Sequence, residues 1–348
     1  MSPYIMFMLM FGVGLGTTVT FASTHWLLAW MGLEMNTLAF IPLMARHHHP
    51  RAVEATTKYF LAQAAAAAVL LFAAFTNAWY SGQWIIEQDL CPASTAMLTC
   101  ALALKVGIAP LHTWLPEVLQ GLDFSTGLVL STWQKLAPFA LLCQIHPLHP
   151  ALTTTLGLTS IFIGGWGGLN QTQLRKVLAY SSIAHLGWML LIMQFSLPLA
   201  KMTLGLYIIM TTAIFMVLKL FNSKNINALA SSWAKSPVIT AFTPLILMSL
   251  GGLPPLTGFM PKWLILQELT KQDLMLIAMT IAIAALLSLY FYLRLTYAMS
   301  LTISPNNVLS MLPWRFPSSQ MKLPMIITAT LALFLLPLSP TLTMLCHI

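Results

Sequence analysis

Residues 105–117 read Lys105-Val106-Gly107-Ile108-Ala109-Pro110-Leu111-His112-Thr113-Trp114-Leu115-Pro116-Glu117, directly after a charge-free run over 90–104. An apolar helix that meets a glycine and two prolines within ten residues is interrupted, because proline supplies no amide donor. At membrane depth such a break survives only where protein or a water-filled cavity satisfies the freed backbone. The stretch therefore predicts a broken helix over 93–119. A second is predicted over 238–270, which holds Pro254, Pro255 and Pro261. The two copies align, since Gly107, Pro110, Leu111, Trp114 and Pro116 recur as Gly252, Pro255, Leu256, Phe259 and Pro261 at one offset of 145 residues (252 − 107). About five membrane crossings separate the copies, and an odd number inverts the second, giving the inverted repeat found in transport proteins.

Composition makes the bilayer the solvent for the rest of the chain. Of its 348 residues 58% are hydrophobic and 7% charged, too few to build a water-soluble surface. Charge-free runs over 177–200, 202–218, 236–261, 274–293 and 323–348 reach or approach the ~20 apolar residues of a helical span. About eleven spans are expected, at 3–22, 25–45, 57–80, 93–119, 123–146, 148–169, 173–195, 197–222, 238–270, 273–298 and 323–345. The fold class is thus an all-α membrane protein with two inverted five-helix repeats, 1–147 and 148–300, each with a broken helix. Residues 301–348 form a loop and a C-terminal transmembrane helix. The N-terminus lacks a basic region and a small-residue cleavage site, so it reads as a first span.

The net charge of +8 does not indicate nucleic acid, because the bases lie singly between apolar stretches. Arg46, Arg51, Lys58, Arg175, Lys176, Lys224, Lys235, Arg315 and Lys322 fall in even-numbered connections, and Lys201 and Lys271 in odd ones. The positive-inside rule then puts the N-terminus on the matrix or cytoplasmic side and the C-terminus opposite. Cys91, Cys100, Cys143 and Cys346 show no metal-ligand spacing, and His47, His48 and His49 read as a basic turn at a membrane edge. Gly12-Val13-Gly14-Leu15-Gly16 and Gly164-Gly165-Trp166-Gly167-Gly168 suit close helix packing, not phosphate binding.

Ionisable residues inside or close to the hydrocarbon are Glu34, Lys105, Glu117, Lys135, Lys219, Lys262, Glu268 and Arg294, with His112 and His185 beside them. A central charge costs ~2.5–3.5 kcal/mol on the insertion scale, which makes function the default reading. Interhelical hydrogen bonding is the competing explanation for Glu34 and Lys135, and snorkelling for Lys219 and Arg294. Lys105 precedes the first break, where the half-helix dipole favours a cation near free carbonyls. His112 lies in that break and His185 near mid-span, each a possible proton relay or a satisfied core histidine.

The 105–117 stretch, with Trp133-Gln134-Lys135-Leu136-Ala137-Pro138, Tyr180-Ser181-Ser182-Ile183-Ala184-His185-Leu186-Gly187, Gly252-Leu253-Pro254-Pro255-Leu256-Thr257-Gly258-Phe259 and Met31-Gly32-Leu33-Glu34-Met35-Asn36, resembles the antiporter-like proton-translocation family of respiratory complex I. The resemblance implies a non-redox subunit of an NADH:ubiquinone reductase in the mitochondrial inner membrane, inactive in isolation. Its partners would be neighbouring antiporter-like subunits, small transmembrane subunits and membrane lipids. No cofactor is expected on this chain, with FMN, iron–sulfur clusters and ubiquinone on other subunits. By motif position Glu34 and Lys105 would be a coupled ion pair, Lys135 the central relay and Lys262 the exit-side lysine, with His112 and His185 as weaker candidates. Longer members begin with three additional spans, and several carry glutamate where Lys262 stands. A sodium/proton antiporter subunit and a purely structural membrane subunit are the rival readings. A pair of unit charges ~4 Å apart at an effective dielectric of ~20 interacts by ~4 kcal/mol, comparable to the ~3.5 kcal/mol for moving one charge across ~150 mV.

Overall fold

The structure is a computed structural model that describes residues 2–46, 49–86, 91–145, 150–234, 236–301 and 323–347. Lys235, Arg315, Lys322, His47 and His48, and with them the expected loop after residue 301, lie outside the described residues. The chain forms two compact units, Met1–Ser160 and Ile161–Ile348. The described residues are helical with no strand, apart from isolated bridges at His25–Ile85 and Gln173–Asn225.

In the first unit the helices are α1 (Pro3–Ala22), α2 (Trp26–Met44), α3 (Pro50–Ser81), α4 (Pro92–Val106), α5 (Trp114–Gly121), α6 (Phe124–Ser131) and α7 (Trp133–Gln144), and α8 (Pro150–Gly168) runs into the second. The second continues with α9 (Leu174–Ile192), α10 (Leu197–Phe221), α11 (Ile226–Ala230), α12 (Pro237–Gly251), α13 (Phe259–Lys271), α14 (Met275–Ser300), α15 (Leu323–Phe334) and α16 (Ser339–His347). Five of them, α1, α2, α3, α10 and α14, are long and apolar enough to cross a membrane by themselves. Helices α4, α12 and α15 are shorter apolar segments.

Both expected breaks are present, and they share a construction. Helices α4 and α12 each have 15 residues, start with proline and end at a glycine in the left-handed region, Gly107 at φ 87° and Gly252 at φ 78°. At the first break the amides of Gly107 and Ile108 both donate to the Ala103 carbonyl, and at the second those of Gly252 and Leu253 both donate to Met248. Such glycine turns satisfy carbonyls that a helix end leaves open. Each break also carries a cis peptide bond, Ala109–Pro110 and Pro254–Pro255. The helix resumes at Trp114 in one and Phe259 in the other.

Two further interruptions depart from the expected spans. The segment 123–146 is divided between α6 and α7 at Thr132, whose hydroxyl donates to the Leu128 carbonyl at 2.7 Å and competes with the backbone ladder. The segment 323–345 is divided between α15 and α16, because Pro337 and Pro340 withhold two donors and a short 3-10 turn spans Leu336–Leu338.

Close packing explains Gly16 and Gly164 in the two glycine-rich stretches. A Cβ on Gly16 would approach the Gly32 carbonyl and the Asn36 amide to 2.8 Å, so α1 and α2 touch backbone to backbone. Gly164 plays the same part between α8 and α9, facing the Ala184 amide at 2.6 Å from a built Cβ. Small residues give membrane helices this approach and the dispersion contacts that come with it.

Candidate proton-transfer site in the first unit

Three helices of the first unit carry the candidate charges: Glu34 on α2, Lys105 in the last turn of α4, and Lys135 in the first turn of α7. Lys105 Nζ lies 3.9 Å from Glu34 Oε1, with the lysine side chain 2% and the carboxylate 25% exposed. No hydrogen bond reaches the Lys105 ammonium among the described residues. Its ion-pair partner among the described residues is Glu34, at a separation slightly beyond hydrogen-bond contact. The second carboxylate oxygen of Glu34 accepts from the Thr37 hydroxyl at 3.3 Å.

Lys105 lies in the last turn of α4, and its ammonium makes no hydrogen bond to a carbonyl there among the described residues. Gln63 Nε2 donates to the Lys105 carbonyl at 3.2 Å, and Trp114 Nε1 donates to the Leu104 carbonyl at 3.0 Å. Those two side chains, and not the Lys105 ammonium, meet these carbonyls at the end of α4. A lysine does cap the other broken helix, where Lys262 Nζ donates to the Gly251 carbonyl at 2.7 Å.

Lys105 and Lys135 line one cavity of about 20 Å³, shared with Asn36, Tyr59, Gln63 and Gln134. That volume admits about one water, and the polar lining supplies the partners a water needs. Lys135 is 2% exposed. Sequence reasoning missed the uncharged part of the lining. Gln134 Nε2 donates to Asn36 Oδ1 at 3.0 Å, and Gln134 Oε1 accepts from the Tyr59 hydroxyl at 3.5 Å. The available signal was polar residues in apolar spans, Asn36 two positions after Glu34 and Gln134 one before Lys135.

The remaining candidates lie elsewhere. In the first break, His112 Nδ1 is 3.2 Å from the Pro110 carbonyl. Glu117 is 53% exposed and pairs with Lys58 at 2.7 Å, while Lys58 also meets Glu54 at 2.7 Å. In the second unit His185 stacks at a tilt on Tyr207, with centroids 5.6 Å apart. There too, Glu268 pairs with Lys271 at 3.2 Å. Arg294 donates to the Leu169 carbonyl at 2.8 Å, so its guanidinium caps the chain beyond α8 rather than only reaching for the interface.

Residues 23–288 match the NADH:quinone oxidoreductase/Mrp antiporter transmembrane family, and residues 289–343 match the C-terminus of NADH dehydrogenase subunit 2. The chain belongs to this antiporter-like family. A relative in Gadus morhua, NADH-ubiquinone oxidoreductase chain 2, is 65% identical over 98% of both chains. A chain of respiratory complex I from Thermus thermophilus, solved with bound Aureothin, superposes with a TM-score of 0.84 at 26% identity. It covers 99% of this chain and 80% of its own length. A chain of the Mrp complex from Dietzia sp. has the same fold, with a TM-score of 0.84 at 17% identity over 96% of this chain and 75% of its own. The antiporter-like family expected from the motifs is the family found.

Proposed function

We propose that this chain is a proton-translocating, antiporter-like subunit in the membrane arm of respiratory complex I, and that protons cross it through Glu34, Lys105, Lys135 and Lys262. The carrying observation is the Lys105–Glu34 pair, 3.9 Å apart, beside a water-sized cavity that Lys105 shares with Lys135. Opening and closing of the pair is the event that moves the proton. Lys105 gives up one N–H proton to a water in the cavity, and that water passes a proton to Lys135. His112 and His185 serve as auxiliary relays.

The chain works in the mitochondrial inner membrane against neighbouring antiporter-like and small transmembrane subunits and lipid. FMN, iron–sulfur clusters and ubiquinone belong to other subunits, and the isolated chain does not oxidise NADH. The layout proposed is about eleven spans in two inverted repeats, 1–147 and 148–300, and a last span within 301–348. The matched breaks support the repeat. So do the matched bridges, in which Trp26 and Ile86 donate to Trp84 and Thr24, and Leu174 and Ile226 donate to Lys224 and Thr172. In the first unit that bridge lies at the end of α2 and α3 away from Arg46 and Arg51. In the second, the bridge sits beside Arg175, Lys176 and Lys224. If both basic ends face the matrix, the second copy is inserted upside down.

The test is proton pumping per NADH oxidised in assembled complexes carrying Glu34→Gln or Lys135→Met. Glutamine keeps the shape and hydrogen-bonding capacity of Glu34 while deleting its charge. Both variants are expected to assemble and to pump less, Lys135→Met the more severely, by on the order of 10²-fold in transfer through this chain. Wild-type pumping by both, or a loss confined to assembly and thermal stability, would overturn the proton path.

A further inference from the structure

The amide of Gln134 ties the helix bearing Glu34 to the helix bearing Lys135. Asn36, its acceptor on α2, is 2% exposed, Tyr59, its donor on α3, is 1% exposed, and Gln134 itself is 9% exposed. Beyond Tyr59 the connection continues through an edge-on ring contact with Trp114, centroids 5.8 Å apart. The Trp114 indole in turn donates to the Leu104 carbonyl, next to Lys105. A single frame, Asn36–Gln134–Tyr59–Trp114, thus runs around the cavity and meets the helix of each of the three charged residues.

Backbone geometry gives the frame a purpose at α7. Lys135 stands in the first turn of a helix that restarts after Thr132, and its amide donates to the Thr132 carbonyl at 3.4 Å. A first turn lacks the preceding ladder that fixes residues deeper in a helix. The neighbouring Gln134 amide supplies a tertiary anchor at that point. Carboxamides do not titrate in the physiological range, so the bridge holds its donor and acceptor pattern while the charges around it change.

We propose that Gln134 is a positioning residue for proton transfer, whose bridge to Asn36 and Tyr59 holds Lys135 at a fixed spacing across the cavity from the Lys105–Glu34 pair. This rests on the proton path proposed above. Transfer between two groups through one water depends steeply on their spacing, and a displacement near 1 Å costs on the order of 10²-fold. The frame also joins the restart of the broken helix at Trp114 to Lys135, so a shift of either is felt by the other.

The experiment compares assembled complexes carrying Gln134→Leu, the double change Asn36→Leu with Gln134→Leu, and the exchange Asn36→Gln with Gln134→Asn. Lys135→Met is the control, and protons per NADH, NADH oxidation and assembly are measured in each. Gln134→Leu leaves the Asn36 amide buried without its partner and is expected to lower assembly. The double leucine variant removes both partners and is expected to recover assembly while keeping a proton-per-NADH deficit. The exchange restores an amide pair and is expected to recover more pumping than either of its component single changes. A purely structural bridge would let pumping return with assembly in the double leucine variant, and that result would overturn the proposal. So would an exchange that pumps no better than its single changes. Should Lys135→Met itself pump normally, the underlying proton path fails; a deficient Lys135→Met beside a normally pumping Gln134→Leu refutes the positioning role alone.

Discussion

Gly107 holds φ at 87°, and a Cβ built on it would lie 2.7 Å from Leu115 Cδ1. The backbone conformation disfavours a side chain there, and the end of the Leu115 side chain would have to shift to admit one, in the turn that ends α4 two residues after Lys105. An L-residue in the left-handed region costs ~1–2 kcal/mol before any repacking. Gly107→Ala should therefore lower the thermal stability of the assembled complex and reduce its yield. Gly14, also in a helix, has no atom within 4 Å of a built Cβ, so Gly14→Ala should be neutral or slightly stabilising. Thermal denaturation of the two variants in parallel checks the contrast; equal melting temperatures would remove the requirement for glycine at the break. At this scale the sequence announced the glycines, prolines and buried charges, because each is costly in an apolar helix. It did not announce the Asn36–Gln134 bridge. Amides cost less than charges in a membrane, and a pairing across 98 residues leaves no local periodicity.

Element length shows what else was hidden. Helix α3 has 32 residues, about 48 Å at 1.5 Å per residue, against a hydrocarbon core of about 30 Å. Its first turns, with Arg51 and Glu54, extend beyond the expected span 57–80, and Lys58 at the start of that span pairs with Glu117 in the first turn of α5. The breaks at 107 and 252 were legible because glycine and proline cluster there. The division at Thr132 was not, since Ser131 and Thr132 are ordinary in membrane helices; what marks the end of α6 is the Thr132 backbone, at φ −114° and ψ −70°. Helix α12 yields a separate prediction, because its C-terminal carbonyl at Gly251 receives the Lys262 ammonium. Gly252 makes room for that side chain, a built Cβ there falling 2.8 Å from Lys262 Cδ. Lys262→Gln retains a donor for the Gly251 carbonyl, whereas Lys262→Met removes it. If capping were the sole role, Lys262→Gln should keep both stability and pumping. With the proton role proposed here, Lys262→Gln should keep most of its melting temperature and lose pumping, and Lys262→Met should lose both, by ~1 kcal/mol in stability. Protons per NADH alongside thermal denaturation separate the cases, and full pumping by Lys262→Gln would exclude Lys262 from the path.

For the whole molecule, the distribution of basic residues sets which loops are expected to face the matrix. Within the second unit, Arg175 and Lys176 open α9, and the Lys224 carbonyl accepts from the Leu174 amide, so three basic residues gather at one end. Within the first, Arg46 and Arg51 flank the connection between α2 and α3, while Trp84 and Ile86 join the opposite end to Thr24 and Trp26. Cytoplasmic or matrix loops carry the excess of lysine and arginine, since moving those charges across during insertion is unfavourable. The connections at Arg46 and at Arg175 should both face the matrix, and the connection after α3 the intermembrane side. Single thiols test this without altering a charge: Ala45→Cys and Asn170→Cys for the matrix loops, and Gln83→Cys for the other face. A membrane-impermeant thiol reagent should label the first two in inside-out particles and the third in mitoplasts, each measured above the signal of the chain's own cysteines. Labelling of Ala45→Cys or Asn170→Cys from the intermembrane side would reject the orientation. Labelling of those two on opposite sides would reject the two inverted repeats as well, because that arrangement sends both basic connections to the same compartment.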